Sequence, residues 1–164
     1  DDFTGIGISM GGGMCNVCLS YLSFPVLTYS IQTAGDYIDT MVGKSVGEPA
    51  TKIRTIKEQE LDLSKEPKDR IATALHIFYD DLIFKLLDSL QRVIRSTEKI
   101  PTISMPIPIV FSGGTAMPHG YKEKFESMLR KVELPIQISE VRIAEDPLST
   151  TAKGALIMAM TEAG

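Results

Sequence analysis

The fold of this chain is decided by the stretch Gly5-Ile6-Gly7-Ile8-Ser9-Met10-Gly11-Gly12-Gly13-Met14-Cys15-Asn16-Val17-Cys18-Leu19. Residues 5–10 have β-strand character, a glycine triplet interrupts them, and residues with high β propensity resume over 14–22. A third strand is expected at 26–32, after a turn at Ser23-Phe24-Pro25. Three successive strands joined by tight connections predict an antiparallel meander.

The remainder of the chain predicts helices that alternate with strands. Helices are expected at 36–43, 69–95, 117–131 and 149–163, and strands at 107–111 and 135–143. Residues 69–95 give the strongest signal, because apolar residues recur there at three- and four-residue steps. A meander followed by βα units predicts an α/β fold, with a mixed sheet and helices on its faces. The length of 164 residues fits one domain, 1–164.

Residues 44–68 differ in composition from their surroundings. They are rich in charge and poor in large apolar side chains, and Pro49 is placed to open a helix that runs to about Gln59. We expect this segment to form a small, exposed helical insert.

The composition argues against several classes of partner. Seventeen Lys and Arg against twenty-one Asp and Glu give a net charge of −4, so no basic excess favours nucleic acid. No apolar run approaches the roughly 20 residues of a membrane-spanning helix, and no signal peptide is recognisable. Two cysteines without a leader suggest the cytoplasm. The chain begins with Asp1 and enters its first strand almost at once, which suggests a piece of a longer protein.

Cys15 and Cys18 form a C-x-x-C pattern, which occurs in redox pairs and in halves of zinc sites. On a strand, side chains three residues apart point to opposite faces, so these two thiols are expected to diverge. The sequence has no second cysteine pair, and its two histidines, His76 and His119, lie far along the chain. We therefore expect neither a metal site nor a redox function here.

Two glycine loops are the candidates for ligand binding. Gly11-Gly12-Gly13 separates two strands, and Gly113-Gly114 separates a strand from a helix. Consecutive glycines allow backbone N–H groups to approach an anion without a Cβ in the way. A hairpin bulge or close helix packing has the same composition, so both interpretations remain open for each loop.

Five motifs in colinear order resemble the second lobe of the actin, Hsp70 and MreB superfamily. They are Gly7–Val17, similar to the second phosphate loop D-x-G-G-G-T-T-[DE]; Ala34–Asp39, similar to G-G-D-x-[FLM]-[DT]; Gly47–Arg54, similar to G-E-x-A-E-x-[IL]-K; Ile109–Gly120, similar to the adenosine loop; and Ala144–Ala155, similar to A-E-D-P-L-x-x-V-A-x-G. Together they extend over nearly the whole chain. The third motif, Gly47–Arg54, and the fifth, Ala144–Ala155, favour MreB-like members of the superfamily over Hsp70.

The resemblance implies an RNase H-like lobe, with 44–68 as a reduced inserted subdomain. It implies ATP with Mg²⁺, bound between this lobe and a first lobe whose motifs are absent from this sequence. By that resemblance the phosphates would contact Gly11, Gly12, Gly13 and Met14. The adenosine would contact Gly113, Gly114 and Thr115, together with Arg54 and Lys57 from the inserted helix. A solvated helix charge is an equal alternative for Arg54, and for Asp36 we favour an interaction with the helix dipole over a ribose contact.

The second phosphate loop departs from the family pattern where the metal would lie. The family's Asp falls on Ser9, its Thr-Thr pair on Met14 and Cys15, and the following acid on Asn16. Each change removes a charge or a hydroxyl from the metal and phosphates. We therefore expect nucleotide binding rather than hydrolysis and assign no catalytic residue.

Three functions follow from the resemblance. The first is the nucleotide-binding lobe of an MreB-like cytoskeletal protein that assembles into filaments. The second is a non-filament adaptor or chaperone, of the pilus-assembly or ethanolamine-utilisation type. The third is a catalytically inactive interaction domain, which the residues at 9 and 16 favour.

Overall fold

The described part of the chain folds into five strands and five helices around one mixed sheet. The computed structural model describes residues 3–98 and 100–162. The strands are β1 (Gly5–Met10), β2 (Cys15–Tyr21), β3 (Phe24–Ile31), β4 (Ile107–Ser112) and β5 (Ile138–Ile143). The helices are α1 (Gly35–Val46), α2 (Ala50–Gln59), α3 (Arg70–Ser96), α4 (Tyr121–Leu129) and α5 (Thr150–Glu162), with a 3₁₀ turn at Gly114–Ala116.

The sheet has the strand order β3-β2-β1-β4-β5, so the first strand lies at its centre. β1 pairs antiparallel with β2 and parallel with β4, and β5 adds to β4 in parallel. The meander followed by βα units is confirmed, and with it the predicted mixed α/β sheet. Because β1 and β4 are parallel, the loops that follow them leave the same edge of the sheet.

One face of the sheet carries the core. On β1, Ile6, Ile8 and Met10 are at most 1% exposed, and the alternate positions, Gly7 and Ser9, face the other side. The long helix α3 packs its apolar stripe on the buried face, with Leu75, Tyr79, Leu82, Leu86 and Leu90 buried. Where α4 joins the core, the Phe111 ring meets Tyr121 and Phe125 edge to face, and those two rings stack on each other.

Three element boundaries differ from prediction. β3 begins at Phe24 because the hairpin turns on Leu22 and Ser23, which have φ of 50° and 68°. α4 begins at Tyr121, not at 117, because Gly120 has a φ of 83° and lies against the backbone at Ser64. β5 begins at Ile138, three residues after the predicted start.

Most residues of the insert at 44–68 are exposed, in line with its composition. α1 extends into it as far as Val46 and ends at Gly47, whose φ is 75°. α2 packs on α1, and its Ile53 is completely buried. Leu63, beyond α2, is 6% exposed and also belongs to the core. These two side chains anchor an otherwise exposed segment to the rest of the chain.

The last helix, α5, has little contact with the rest of the protein. Its residues are exposed throughout 151–160, including Leu156, Met158 and Met160, which are 61%, 62% and 69% exposed. Within the described residues, no helix is both long enough and apolar enough to span a bilayer.

Candidate functional site

The two glycine loops line one cavity, together with α2 and the beginning of α1. The cavity has a volume of about 630 Å³, which lies within the usual range for small-molecule sites. It is lined by Gly11, Gly12, Gly35, Asp36, Asp39, Arg54, Lys57, Glu58, Gln59, Leu61, Gly114, Thr115, Met117, Pro118, His119 and Leu148. Five segments of the sequence therefore converge at the edge where β1 and β4 end.

The first glycine loop rests on the N-terminus of α1. The backbone N–H of Gly35 donates to the Gly11 carbonyl at 3.1 Å, and that of Asp36 donates to the Gly12 carbonyl at 2.9 Å. Within the part of the chain that the structure describes, the N–H groups of Gly12 and Gly13 donate no hydrogen bond. The loop is thus fixed by its carbonyls, while two of its donors are left for solvent or an anion.

The second glycine loop is attached to the first. The Thr115 hydroxyl donates to the Gly11 carbonyl at 2.8 Å, so the second loop and the start of α1 share this acceptor in the first loop. Gly113 has a φ of 90° and lies against the Met10 backbone, where a Cβ would collide with the carbonyl. Its own N–H donates to the Pro147 carbonyl at 2.8 Å. Gly113 therefore makes the close approach of backbone possible, and Gly114 is the glycine that faces the cavity.

A buried ion pair forms the floor of the cavity. The Asp39 side chain is 1% exposed and its Oδ1 lies 2.6 Å from Lys57 Nζ, on a side chain 8% exposed. That contact lies outside the angular range of a hydrogen bond, so it is chiefly electrostatic. Lys57 donates instead to the Gly35 carbonyl at 3.1 Å. The ammonium group therefore connects α2 with the start of α1 beneath the first glycine loop.

A second, exposed pair lies beside the glycine loop. Arg54 donates from Nη2 to Asp36 Oδ1 at 2.7 Å and from Nε to Asp39 Oδ2 at 3.2 Å. The hydrogen bond to Asp39, followed by the charge of Asp36, raises the pKa of Arg54 above its usual value. Asp36 in turn lies beside Gly12, where a Cβ would come within 2.9 Å of Oδ1. The guanidinium is half-exposed and can exchange these carboxylates for a ligand anion at small cost.

The structure brings most of the predicted site residues together. Gly11, Gly12, Gly114, Thr115, Arg54 and Lys57 all line the cavity. Gly13, Met14 and Gly113 do not. Met14 accepts a hydrogen bond from Gly11 N through its carbonyl, which closes the turn, and its side chain is 45% exposed. Its place in the loop is explained by turn geometry.

Sequence reasoning missed the partners that hold the site together. Asp39 is the last residue of the motif Ala34–Asp39, but nothing in that motif indicates that its side chain pairs with Lys57 and Arg54. Leu148, at the cavity rim, is 70% exposed and would lie 3.7 Å from a Cβ at Gly114. His119, for which the sequence offered no partner, lies 2.9 Å through Nδ1 from Asp62 Oδ1. These contacts join segments that are distant in sequence, so no local sequence pattern predicts them.

The residues that replace the family's acids lie on the opposite face of the sheet. Ser9 and Asn16 line a different cavity of about 730 Å³, with Ser112 and Thr150. The Ser9 hydroxyl lies 3.3 Å from that of Thr151, and Asn16 Oδ1 accepts from Ser30 at 2.6 Å. Among the described residues, no cluster of three His, Cys, Asp or Glu side chains is arranged to hold a metal ion.

The two cysteines diverge, as their positions on a strand predict. Cys15 is buried in the core, donates to the Thr33 carbonyl at 3.2 Å, and has its thiol pKa raised to about 12 by burial. Cys18 points to the other face and is half-buried, and burial raises its pKa too. Both thiols are free.

The fold matches solved structures of actin-like proteins. MreB 5 of Spiroplasma citri bound to AMPPNP gives a TM-score of 0.73 at 17% identity, over 98% of this chain and 54% of that one. A non-polymerising mutant of MamK bound to AMPPNP gives 0.71 at 17% identity, over 96% and 55%. The ethanolamine utilization protein EutJ from Carboxydothermus hydrogenoformans gives 0.64 at 22% identity, over 90% and 47%.

These likenesses confirm the predicted fold. The chain spans about half the length of those solved chains, which fits one lobe. No curated protein matches the sequence significantly. A family model described as Volactin matches residues 1–159, which is nearly the whole chain, and the protein is therefore a member of the Volactin family.

Proposed function

We propose that this chain is the ATP-binding lobe of an actin-like protein that assembles into filaments. The observation that carries the proposal is the cavity in which Gly12, Gly114 and Thr115 converge with α2. Glycines at that wall leave room for phosphates, since a Cβ on Gly12 would meet the Asp36 carboxylate. The solved MreB 5 and MamK structures each hold AMPPNP, and the fold they share with this chain supports a similar ligand.

The cavity walls offer different chemistry to the parts of a nucleotide. The free N–H group of Gly12 and the guanidinium of Arg54 suit phosphate oxygens. Leu61, Met117 and Pro118 form an apolar wall, which suits a flat base. Lys57 would act indirectly, because its ammonium is occupied by Asp39 and the Gly35 carbonyl. Mg²⁺ usually keeps several waters and binds nucleotide phosphates, so in the proposed complex it would be held mainly by the ligand.

Binding without fast hydrolysis is the form of the function we propose. Where the superfamily pattern has acids, this chain has Ser9 and Asn16, each with a polar partner of its own. Neither side chain carries the negative charge that orients hydrated magnesium. Any hydrolysis would then depend on groups from another lobe.

We propose further that a second lobe covers α5. An exposed helix with apolar residues on all sides is unfavourable in water unless something packs on it. Leu156, Met158 and Met160 supply that surface, and matched structures are about twice as long as this chain. The two free cysteines support a cytoplasmic setting for the assembled protein.

Calorimetric titration with ATP and Mg²⁺ tests the nucleotide site. Gly12→Ala should weaken binding at least about tenfold, because a Cβ 2.9 Å from Asp36 Oδ1 forces the first glycine loop away from the position in which its N–H groups face the ligand. Gly154→Ala is the matched control, since a Cβ there meets no atom within 4 Å. Equal affinities for Gly12→Ala, Gly154→Ala and the unmodified protein would show that nucleotide does not use this cavity.

Sedimentation of the full-length protein with and without ATP tests assembly. Pelletable polymer that depends on nucleotide is expected for a filament protein. A non-filament adaptor remains the alternative, and the single helix α2 in place of a larger insert favours it, because little surface is left for a longitudinal contact. Absence of polymer over a range of ATP and Mg²⁺ concentrations, with nucleotide binding retained, would decide for the adaptor.

A further inference from the structure

A histidine with fixed orientation lies at the apolar wall of the nucleotide cavity. His119 lines the cavity beside Leu61, Met117 and Pro118, and its side chain is 78% exposed. Its backbone carbonyl accepts from Leu63 N at 2.7 Å, in a short parallel bridge between its own loop and the segment after α2. The ring is therefore held at the site from two sides, by its backbone and by its imidazole.

The partner of the imidazole determines where its hydrogen lies. Asp62 Oδ1, 2.9 Å from Nδ1, also accepts from the Ser64 N–H and hydroxyl, and Oδ2 pairs with Lys65 Nζ at 2.8 Å. Hydrogen bonds from Lys65, Ser64 and His119 hold the pKa of Asp62 well below its usual range. An ionised carboxylate only accepts, so Nδ1 of His119 carries the hydrogen. In the neutral ring, Nε2 is then an acceptor.

We propose that His119, oriented by Asp62, is the residue that selects the purine by accepting a hydrogen bond from its 6-amino group. Adenine presents an amino donor at position 6, whereas guanine and hypoxanthine present a carbonyl acceptor there. A carbonyl facing Nε2 would bring two lone pairs together and leave both without a donor. The inference rests on the proposed nucleotide site and gives it a preference for adenine.

The test compares ATP with inosine triphosphate, which differs from ATP at position 6 of the base. Dissociation constants are measured by calorimetry on the full-length protein at pH 8, above the range in which free histidine titrates. His119→Phe keeps a flat ring without a nitrogen, and Asp62→Ala frees the ring to present either nitrogen. His76→Phe is the matched control, because His76 lies on α3 in a different cavity.

The unmodified protein and His76→Phe are expected to prefer ATP at least about tenfold, the size of one well-placed hydrogen bond and its loss. His119→Phe should abolish the preference, because the affinity for ATP falls while the affinity for inosine triphosphate stays the same. Asp62→Ala should abolish the preference in the other direction, by raising the affinity for inosine triphosphate. A purely structural role of Asp62 would not produce such a gain. Thermal melting of each variant identifies any that fails to fold.

Three outcomes would overturn the inference. Equal affinity of the unmodified protein for both nucleotides would overturn it while leaving the nucleotide site intact. Retention of the ATP preference in His119→Phe, whether both affinities fall equally or neither falls, would show that the imidazole does not distinguish position 6 of the base. If neither nucleotide binds the unmodified protein, the proposed function itself fails, and the preference with it.

Discussion

Removing the buried carboxylate of Asp39 should be among the most destabilising single changes in this fold. Asp39 is 1% exposed and Lys57 is 8% exposed, so Asp39→Ala leaves an ammonium group in the interior with only the Gly35 carbonyl as partner. Breaking a buried pair on one side costs about 3–5 kcal/mol. For a domain of this size we expect a fall in Tm of roughly 6–20 °C.

Urea denaturation followed by circular dichroism gives the free energy of unfolding for comparison. The double variant Asp39→Ala, Lys57→Met removes both charges and keeps an unbranched apolar side chain at position 57. Its free energy of unfolding should therefore be about 1–3 kcal/mol higher than that of Asp39→Ala. Asp88→Ala is the control, because its ion pair with Arg92 on α3 is exposed at 43% and 70%. That change should cost less than about 0.5 kcal/mol.

The outcome that would refute this reasoning is a small effect. If Asp39→Ala costs no more than Asp88→Ala, the charge on Lys57 is not confined to the interior. If the double variant is as unstable as Asp39→Ala, the loss comes from packing and not from the unpaired ammonium. Either result would remove the ion pair as the reason why α2 sits against α1.

Two further predictions concern the sheet and its last helix. In the native protein at pH 8, Ellman's reagent should modify Cys18 and leave Cys15 unreacted. Burial raises the pKa of the Cys15 thiol to about 12, so that thiol stays protonated. Modification of both cysteines at the same rate would show that Cys15 is not buried. Leu156→Glu should lower the Tm of the full-length protein by several degrees, because the new charge would be buried under the second lobe. The same change should not alter the Tm of the fragment 1–164, in which Leu156 is 61% exposed. Equal changes of Tm in both proteins would argue against a covering lobe.

Much of the fold could be predicted because it depends on local signals. Alternation over Gly5–Met10 and the three- and four-residue steps of α3 follow from the geometry of strands and helices. Boundaries were less predictable where distant backbone intervenes. Gly120 prevents α4 from beginning at 117 as predicted, because it lies against the backbone at Ser64. The residues around Gly120 in the sequence give no sign of that contact.

The candidate site was predictable only in part. The glycine loops could be recognised in the sequence, because glycine has no Cβ and allows a ligand or another backbone segment to approach the main chain closely. Of the predicted residues, Gly13, Met14 and Gly113 lie outside the cavity lining, because turn closure and strand packing set their places. The carboxylates that position Arg54, Lys57 and His119 could not be identified, because charged residues on a helix or loop have no periodicity that reveals a partner.

By itself the sequence determined the α/β class, the order of the elements, and the two loops able to approach an anion. Only the tertiary structure decided which of these segments meet. Thr115 bonds to Gly11 across 104 residues, and His119 to Asp62 across 57. Such pairs form because the parallel pairing of β1 with β4 brings two loops to one edge, and because Ile53 and Leu63 anchor the insert beside them. Local propensity fixes the elements, whereas burial of the common core fixes their partners.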